Sequence, residues 1–148
     1  MTPAFLDANV PIYAAGRPHP LKEPCGQIVV LASEYPEAFL TDAEVLQELL
    51  HRFIALRQWP DPGRSAFERF TTVMAGRVES LLPSDVEDAA RLADQHPRLS
   101  ARDLVHLAVM RRLGMAQIVT ADAAFEGIAG VERLDPASVQ AWRSSIVS

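Results

Sequence analysis

The hexapeptide Phe5-Leu6-Asp7-Ala8-Asn9-Val10 joins a short apolar run to the start of a helix. The run from Ala4 to Leu6 predicts a buried strand, and Asp7 follows it directly. In an open parallel sheet, ligands bind beyond the carboxyl ends of the strands, which is where this carboxylate would lie. Taken alone, Asp7 is more often a turn or cap residue, because aspartate favours both positions. Three further acids in similar positions downstream change that balance.

The composition is that of an ordinary globular protein. The chain has 148 residues, of which 49% are hydrophobic, so we expect one domain, residues 1–148, with a real core. No apolar run approaches the roughly 20 residues of a membrane span, and we expect no signal peptide. Cys25 is the one cysteine of the sequence. It excludes an internal disulfide and favours a reducing compartment, so we expect a cytoplasmic protein.

Short apolar runs alternate with helical patterns along the chain. Strands are predicted at residues 4–6, 37–41, 78–82, 117–120 and 131–134. Helices are predicted to start at about residue 10, to cover residues 24–35, 64–75 and 99–112, and to start again at residue 135. Two further helices are predicted to begin with capping boxes, at residues 41–44 and 84–87, and to end at residues 53 and 95. This alternation predicts an α/β fold of three layers, α/β/α, around a mainly parallel sheet of four to five strands.

Four acids are predicted at strand ends or near helix starts. Asp7 and Asp122 follow strands, Asp103 lies in the first turn of a helix, and Glu48 lies about two turns into another. If those helices start at the same edge of the sheet, the carboxylates can converge. Converging acids repel each other and are costly to desolvate, unless a cation is bound. A site made of carboxylate oxygens, with no cysteine among its ligands, suits Mg²⁺ or Mn²⁺.

Each acid also has a purely structural explanation. Asp103 stands three residues after Ser100 and could be only its capping-box partner. Glu44 stands in the same relation to the residue three before it. We accept the cap for Glu44 and prefer Glu48 as ligand, although position alone permits either. Asp122 could simply cap the turn that follows it. Any single acid is therefore more often structural, and the argument depends on the set of four.

Four segments together resemble the motifs of the PIN domain family, and within it most closely the VapC-type toxin ribonucleases. The resemblance spans nearly the whole chain and ends near residues 130–136. The segments are Phe5-Leu6-Asp7-Ala8-Asn9-Val10, Glu44-Val45-Leu46-Gln47-Glu48, Leu99-Ser100-Ala101-Arg102-Asp103-Leu104-Val105-His106-Leu107-Ala108 and Ile118-Val119-Thr120-Ala121-Asp122-Ala123-Ala124-Phe125.

The resemblance implies an Mg²⁺- or Mn²⁺-dependent endoribonuclease of a VapBC-type toxin-antitoxin pair. It also implies an RNA substrate, a homodimer and a small antitoxin protein as partner. By motif, the catalytic and metal-binding acids would be Asp7, Glu48, Asp103 and Asp122. The supporting polar residues would be Asn9, Thr120 and Glu44. The doubled acid at 44 and 48, one helical turn apart, leaves open which of the two occupies the family position.

Two arginines and two histidines lie beside these motifs. Arg52, one turn beyond Glu48, and Arg102 could contact RNA phosphates, although both are equally consistent with ordinary surface arginines. The chemistry needs neither His51 nor His106. Because His106 sits among apolar residues, we expect a helix histidine whose polar atoms are satisfied.

Three other functions fit parts of the pattern. A phosphatase with an aspartate nucleophile would need a second acid two residues after Asp7, where the sequence has Asn9, and a well-placed lysine, whereas the one lysine is Lys22. A catalytically silent binding module would not need the complete set of acids. A PIN nuclease of RNA processing, outside any toxin pair, would carry the same motifs.

Overall fold

The computed structural model describes residues 2–147, and a five-stranded parallel sheet lies at its centre. The strand order is β3-β2-β1-β4-β5, and every neighbouring pair is parallel. The strands are β1 (Ala4–Leu6), β2 (Phe39–Asp42), β3 (Val78–Glu79), β4 (Gln117–Val119) and β5 (Glu132–Leu134). The predicted α/β fold with a parallel sheet is confirmed.

Helices connect the strands and form two packed sets. Helices α1, α2, α3 and α4 contact one another, and α5 packs on α6. The chain crosses the sheet in one direction from β1 to β3 and then returns from β3 to β4. Because connections between parallel strands are right-handed, the two directions place the two sets of helices on opposite faces of the sheet, which gives the three layers. The helices are α1 (Asn9–Ala15), α2 (Lys22–Glu34), α3 (Ala43–Ala55), α4 (Arg64–Val73), α5 (Pro83–Ala93), α6 (Ala101–Arg112) and α7 (Val139–Ile146). Among the described residues, none of these helices has the length and apolar content to cross a membrane.

The central strand β1 is completely buried. Ala4, Phe5 and Leu6 are 0% exposed, because both faces of a parallel sheet are covered by helices and its strands are apolar without alternation. The predicted bounds of β1 are confirmed. Strand β3 is shorter than predicted, because β2 ends at Asp42 and offers no pairing partner beyond Glu79.

Of the two caps that the sequence allows in the box predicted at residues 41–44, Thr41 and Asp42, the structure uses Asp42. Thr41 belongs to β2, and its Oγ1 donates to the Leu6 carbonyl at 2.9 Å. Because β2 extends one residue further than expected, Asp42 becomes the cap of α3 and its Oδ1 accepts from Val45 N at 3.0 Å. Glu44 therefore has no partner in a capping box with Thr41.

The helix predicted to start with a box at Ser84 begins two residues earlier, with Leu82 as its N-cap. Helix α5 begins at Pro83, a residue favoured at the first helical position. Asp85 Oδ2 accepts from Leu82 N at 2.8 Å. Arg112, at the end of α6, donates to both oxygens of Asp85, at 2.9 and 3.1 Å. Asp85 is 1% exposed, so this bidentate pair holds α5 against α6.

We expect Asp85→Asn to lower the free energy of unfolding by about 2–3 kcal/mol, because it removes the charge that Arg112 contacts. The hydrogen bond from Arg112 holds the pKa of Asp85 below its ordinary value of 3.8. Its stabilisation is therefore present above pH 3.8 and is lost as pH falls through the lower pKa of the folded state. Urea unfolding at several pH values measures both effects.

The matched control is Asp88→Asn, on the same helix. Asp88 pairs with Arg91 at the surface, where the two side chains are 51% and 71% exposed. That substitution should change stability by no more than about 0.5 kcal/mol. Equal losses in the two variants would show that the buried pair does not hold α5 and α6 together.

Candidate metal and active site

The predicted acids lie near one another at the carboxyl ends of β1 and β4, where a crevice is expected between the two strand ends. These two strands are neighbours, and the strand order reverses between them, which is where open α/β sheets bind ligands. Asp7 directly follows β1, and Asp122 follows β4 after Thr120 and Ala121. Helices α3 and α6 both begin at this edge and bring Glu48 and Asp103 to it.

Asp7 is 4% exposed and is held by three donors. Its Oδ1 accepts from Ala8 N at 2.7 Å. Its Oδ2 accepts from Thr120 Oγ1 at 2.7 Å and from Asn9 Nδ2 at 3.2 Å. The carboxylate therefore has one fixed orientation, set by residues from both strands that border the crevice.

Asn9 and Thr120 link the ends of β1 and β4. Asn9 Nδ2 donates to Thr120 Oγ1 at 2.9 Å, and Asn9 Oδ1 accepts from Ala121 N at 3.1 Å. Thr120 Oγ1 also accepts from Asp122 N at 3.1 Å. Both residues lie where the sequence predicted supporting polar groups, and their part in the chemistry stays a prediction.

Glu48 is the acid of α3 that lies beside Asp7. One ligand atom each from Asp7, Glu48 and His106 fall within 4.8 Å of one another. Burial, and then the negative charge of Asp7, raise the pKa of Glu48, against the opposing charges of His106 and Arg102. Glu44, one turn earlier, instead approaches Arg102 Nε at 3.5 Å.

Asp103 has both of the roles that the sequence left open. It forms a capping box with Ser100, whose N donates to Asp103 Oδ2 at 3.3 Å and whose Oγ accepts from Asp103 N at 3.2 Å. Asp103 also lies close enough to the other acids to be affected by their charge. Burial and then the charge of Asp7 raise the pKa of Asp103, with a smaller contribution from Asp122. A capping role therefore does not remove it from the site.

Asp122 lies at the rim of the crevice. Its Oδ1 accepts from Ala124 N at 2.9 Å and caps the short 3₁₀ turn Ala123–Phe125. Asp122 therefore does cap the turn that follows it, as the sequence allowed. Its backbone N is tied to Thr120 and its charge acts on Asp103, so it also belongs to the acidic set.

The two predicted RNA-contacting arginines differ in their surroundings. The guanidinium of Arg102 lies between two acids, 3.5 Å from Glu44 and 3.7 Å from Glu48. Arg52 is exposed and borders a groove of about 450 Å³ between the end of α1 and the second half of α3. Arg102 therefore partly neutralises the acids, whereas Arg52 is accessible to a ligand; phosphate contact stays a prediction for both.

His106 is the site residue that sequence reasoning missed, together with Asp42. His106 is 0% exposed, and its Nδ1 lies 2.8 Å from Asp42 Oδ2. Its Nε2 lies 3.8 Å from Asp7 Oδ1 and has no hydrogen-bond partner in the described part of the chain. The expectation of a fully satisfied helix histidine is thus wrong. The signal was its spacing of three residues from Asp103, which puts both on one face of α6.

The charges around His106 favour its protonated form in the metal-free protein. Burial opposes the charge, but the hydrogen bond to Asp42 and the charges of Asp42, Asp7 and Glu48 outweigh it and raise the pKa of His106 to about 9. A cation is therefore favoured between Asp7 and Asp42. The proton and a metal ion are the two cations that this donor set, carboxylate oxygens with one imidazole nitrogen, can hold.

Comparison with known proteins agrees with this geometry. The family model of the PIN domain matches residues 4–131. The chain is 34% identical to Ribonuclease VapC13 of Mycobacterium tuberculosis strain H37Rv over 133 residues, which cover 88% of this chain and 98% of the relative. It is 35% identical to Ribonuclease VapC23 of Mycobacterium tuberculosis strain CDC 1551 over 121 residues, which cover 80% and 91%.

Solved structures share the fold at lower identity. A structure of FitAB bound to an IR36 DNA fragment matches with a TM-score of 0.66 and 23% identity, covering 90% of this chain and 95% of that one. VapC20 of Mycobacterium tuberculosis, described as a sarcin-ricin loop cleaving toxin, matches with a TM-score of 0.65 and 19% identity, covering 87% and 98%. The chain belongs to the PIN domain family, and the curated relatives that it matches are VapC ribonucleases.

Proposed function

We propose that this protein is an Mg²⁺- or Mn²⁺-dependent endoribonuclease that hydrolyses RNA phosphodiesters at the acidic site, which is Asp7, Glu48, Asp103 and Asp122. The observation that supports the proposal is that Asp7 and Glu48 offer ligand atoms within 4.8 Å of each other, in a group with His106. Burial and the charges of neighbouring acids, Asp7 first, raise the pKa values of Glu48 and Asp103, and Asp122 also acts on Asp103. Perturbed acids in a crevice are typical of functional sites. The ribonuclease relatives support RNA as the substrate.

The donor set fits a hard divalent cation, and we propose Asp7 and Asp103 as its direct ligands. Glu48 and Asp122 would hold a second ion or act through water. The ion, when bound, supplies a water of lowered pKa and neutralises the charge that develops on the phosphate. The chain itself provides rigid placement: Asn9 and Thr120 fix the orientation of Asp7, and the capping box fixes Asp103. Such positioning is what catalysis of phosphodiester hydrolysis requires of the protein.

The groove beside the acidic site is the proposed path of the RNA strand. Its lining includes Tyr13 and Gly16 to His19 on one side, and Arg52 on the other. The rings of Tyr13 and His19 stack with centroids 4.6 Å apart. Exposed guanidinium and aromatic groups are the partners of phosphates and unstacked bases. Because Arg52 stands one turn beyond Glu48, a phosphate at this arginine would neighbour the acidic site.

An antitoxin and a second copy of the chain are the proposed protein partners, and the cytoplasm is the proposed compartment. The VapC relatives support the antitoxin, as do exposed apolar side chains on and just after α3. These are Leu50, Ile54 and Leu56, which are 36%, 53% and 54% exposed. Contiguous exposed apolar groups are typical of interaction surfaces.

Expression of the chain alone should arrest bacterial growth. Co-expression with the product of an adjacent short reading frame should restore growth, and the two proteins should elute together. Growth that the chain does not affect, at a verified level of folded protein, would contradict the toxin assignment but not the nuclease assignment. Sedimentation of the purified chain tests the homodimer.

Asp7→Asn should reduce RNA cleavage by more than about 100-fold. Loss of a residue that hydrogen-bonds to a metal ligand lowers activity by about 10–100-fold, and loss of the ligand itself should lower it further. EDTA should abolish the activity of the wild-type protein. Mn²⁺ should raise the melting temperature of the wild type and not that of Asp7→Asn, because binding to the native state stabilises it. RNA cleavage assays and thermal melts measure these effects.

Asp88→Asn is the control, since this carboxylate is exposed on α5 away from the crevice. It should keep both the activity and the Mn²⁺-dependent rise in melting temperature. Cleavage that survives EDTA, or a Mn²⁺ effect that survives Asp7→Asn, would show that the acidic site is not the metal-dependent catalytic centre.

Arg52→Ala should weaken RNA binding without changing kcat. Removal of one phosphate contact should reduce the slope of log K against log salt by about 0.7 for single-stranded RNA. The matched control is Arg111→Ala, because Arg111 is exposed near the opposite end of α6 from Asp103. Fluorescence anisotropy at several salt concentrations measures the slope. Equal slopes in Arg52→Ala and the wild type would remove Arg52 from the RNA path.

A further inference from the structure

A histidine nitrogen in the acidic site has no partner within the described residues. His106 Nε2 is buried and accepts or donates no hydrogen bond there. Buried polar groups are nearly always satisfied, and each exception calls for an explanation such as an ion. The other such ring nitrogen in the described residues is His96 Nε2, which lies in the loop after α5 and belongs to no group of possible metal ligands. Only the His106 nitrogen is directed into a group of carboxylates.

The charge of Asp7 lies near this nitrogen without giving it a hydrogen bond. A protonated Nε2 would be expected to donate to Asp7, yet the distance to Asp7 Oδ1 is 3.8 Å, beyond the range of a hydrogen bond. Two ligands that lie about 2.1 Å from one ion can be up to about 4.2 Å apart. The separation of Nε2 and Oδ1 therefore fits two ligands of one cation better than a donor and its acceptor.

The other ring nitrogen is held as in a metal-binding histidine. Histidines that bind metals almost always donate their second N–H to a carboxylate or carbonyl, which fixes the ring and the tautomer. His106 Nδ1 lies 2.8 Å from Asp42 Oδ2. With the hydrogen on Nδ1, the lone pair is on Nε2 and points towards Asp7 and Glu48, whose ligand atoms complete a group within 4.8 Å.

We propose that His106 Nε2 is a direct ligand of the divalent ion, together with Asp7 and Glu48, and that Asp42 is the positioning residue that holds the ring. The inference rests on the proposed metal-dependent function and changes one part of it, because Glu48 now contacts the ion that Asp7 binds directly and not through water. Mn²⁺ accepts an imidazole ligand more readily than Mg²⁺ does, so the histidine shifts the preference of the site towards Mn²⁺ relative to Mg²⁺. The ring binds the ion in its neutral form, so metal binding releases any proton on Nε2.

Electron spin echo measurements on Mn²⁺ bound to the full chain test this directly. Mn²⁺ added to the wild-type protein at one equivalent should show the modulation of a directly bound ¹⁴N nucleus. Labelling all histidines with ¹⁵N should replace it with the ¹⁵N pattern. The sequence has four histidines, His19, His51, His96 and His106. The triple variant His19→Asn/His51→Asn/His96→Asn retains only His106, and it should keep the nitrogen signal.

The outcomes separate the two proposals. Mn²⁺ that binds in the wild type and not in Asp7→Asn, but without nitrogen modulation, would overturn the histidine ligand and leave the acidic metal site intact. Loss of the modulation in the triple variant would assign it to another histidine and also overturn the proposal. Mn²⁺ that fails to bind, or binds equally well to Asp7→Asn, would overturn both.

Asp42→Asn tests the positioning role. Asparagine retains an oxygen to cap α3 but removes the charge that faces Nδ1. Loss of such a partner should weaken Mn²⁺ binding by about 10–100-fold, and should weaken Mg²⁺ binding less, because Mg²⁺ gains little from the imidazole. Calorimetric titration measures both affinities, with Asp88→Asn as the exposed control. An unchanged ratio of Mn²⁺ to Mg²⁺ affinity would contradict the role of Asp42.

Discussion

Mutual repulsion of buried carboxylates is the constraint on which the architecture of this site depends. Asp7 and Asp42 are almost completely buried, and Glu48 and Asp103 are raised in pKa by burial and by Asp7. Such a group is stable only with a compensating cation. Around neutral pH the protonated His106 supplies one positive charge in the metal-free protein, and Arg102 supplies another at the rim. A divalent ion would replace the first of these and act on the substrate.

The fold makes this concentration of charge possible because it fixes the acids from different directions. The ends of β1 and β4 are tied by the Asn9 and Thr120 hydrogen bonds, which hold Asp7 against repulsion from its neighbours. Asp103 is held by its own helix cap, and Asp42 by the cap of α3. Helix caps therefore lie beside the acidic site, since a helix that starts at the carboxyl edge of the sheet has its cap there.

The sequence predicted the parts of the site that follow from local pattern. A buried strand followed by an acid identifies Asp7, and the same rule identifies Asp122. The choice between Glu44 and Glu48 could not be made from spacing, because it depends on the rotation of α3 and hence on where β2 ends. The choice between Thr41 and Asp42 as the cap of α3 was open for the same reason. Asp42 was taken as a helix cap alone, although it ends β2 and satisfies the rule that identified Asp7.

His106 was missed because it lies among the apolar residues in the middle of α6. Its neighbours in sequence are core residues, and the partners that define its role, Asp7 and Asp42, are distant along the chain. Crystals soaked in Mn²⁺ test the central claim most directly, through the anomalous scattering of the ion. We predict a peak in contact with Asp7 and at least one further acid of the acidic site. Peaks only elsewhere on the protein, with the crevice empty of metal, would contradict the account.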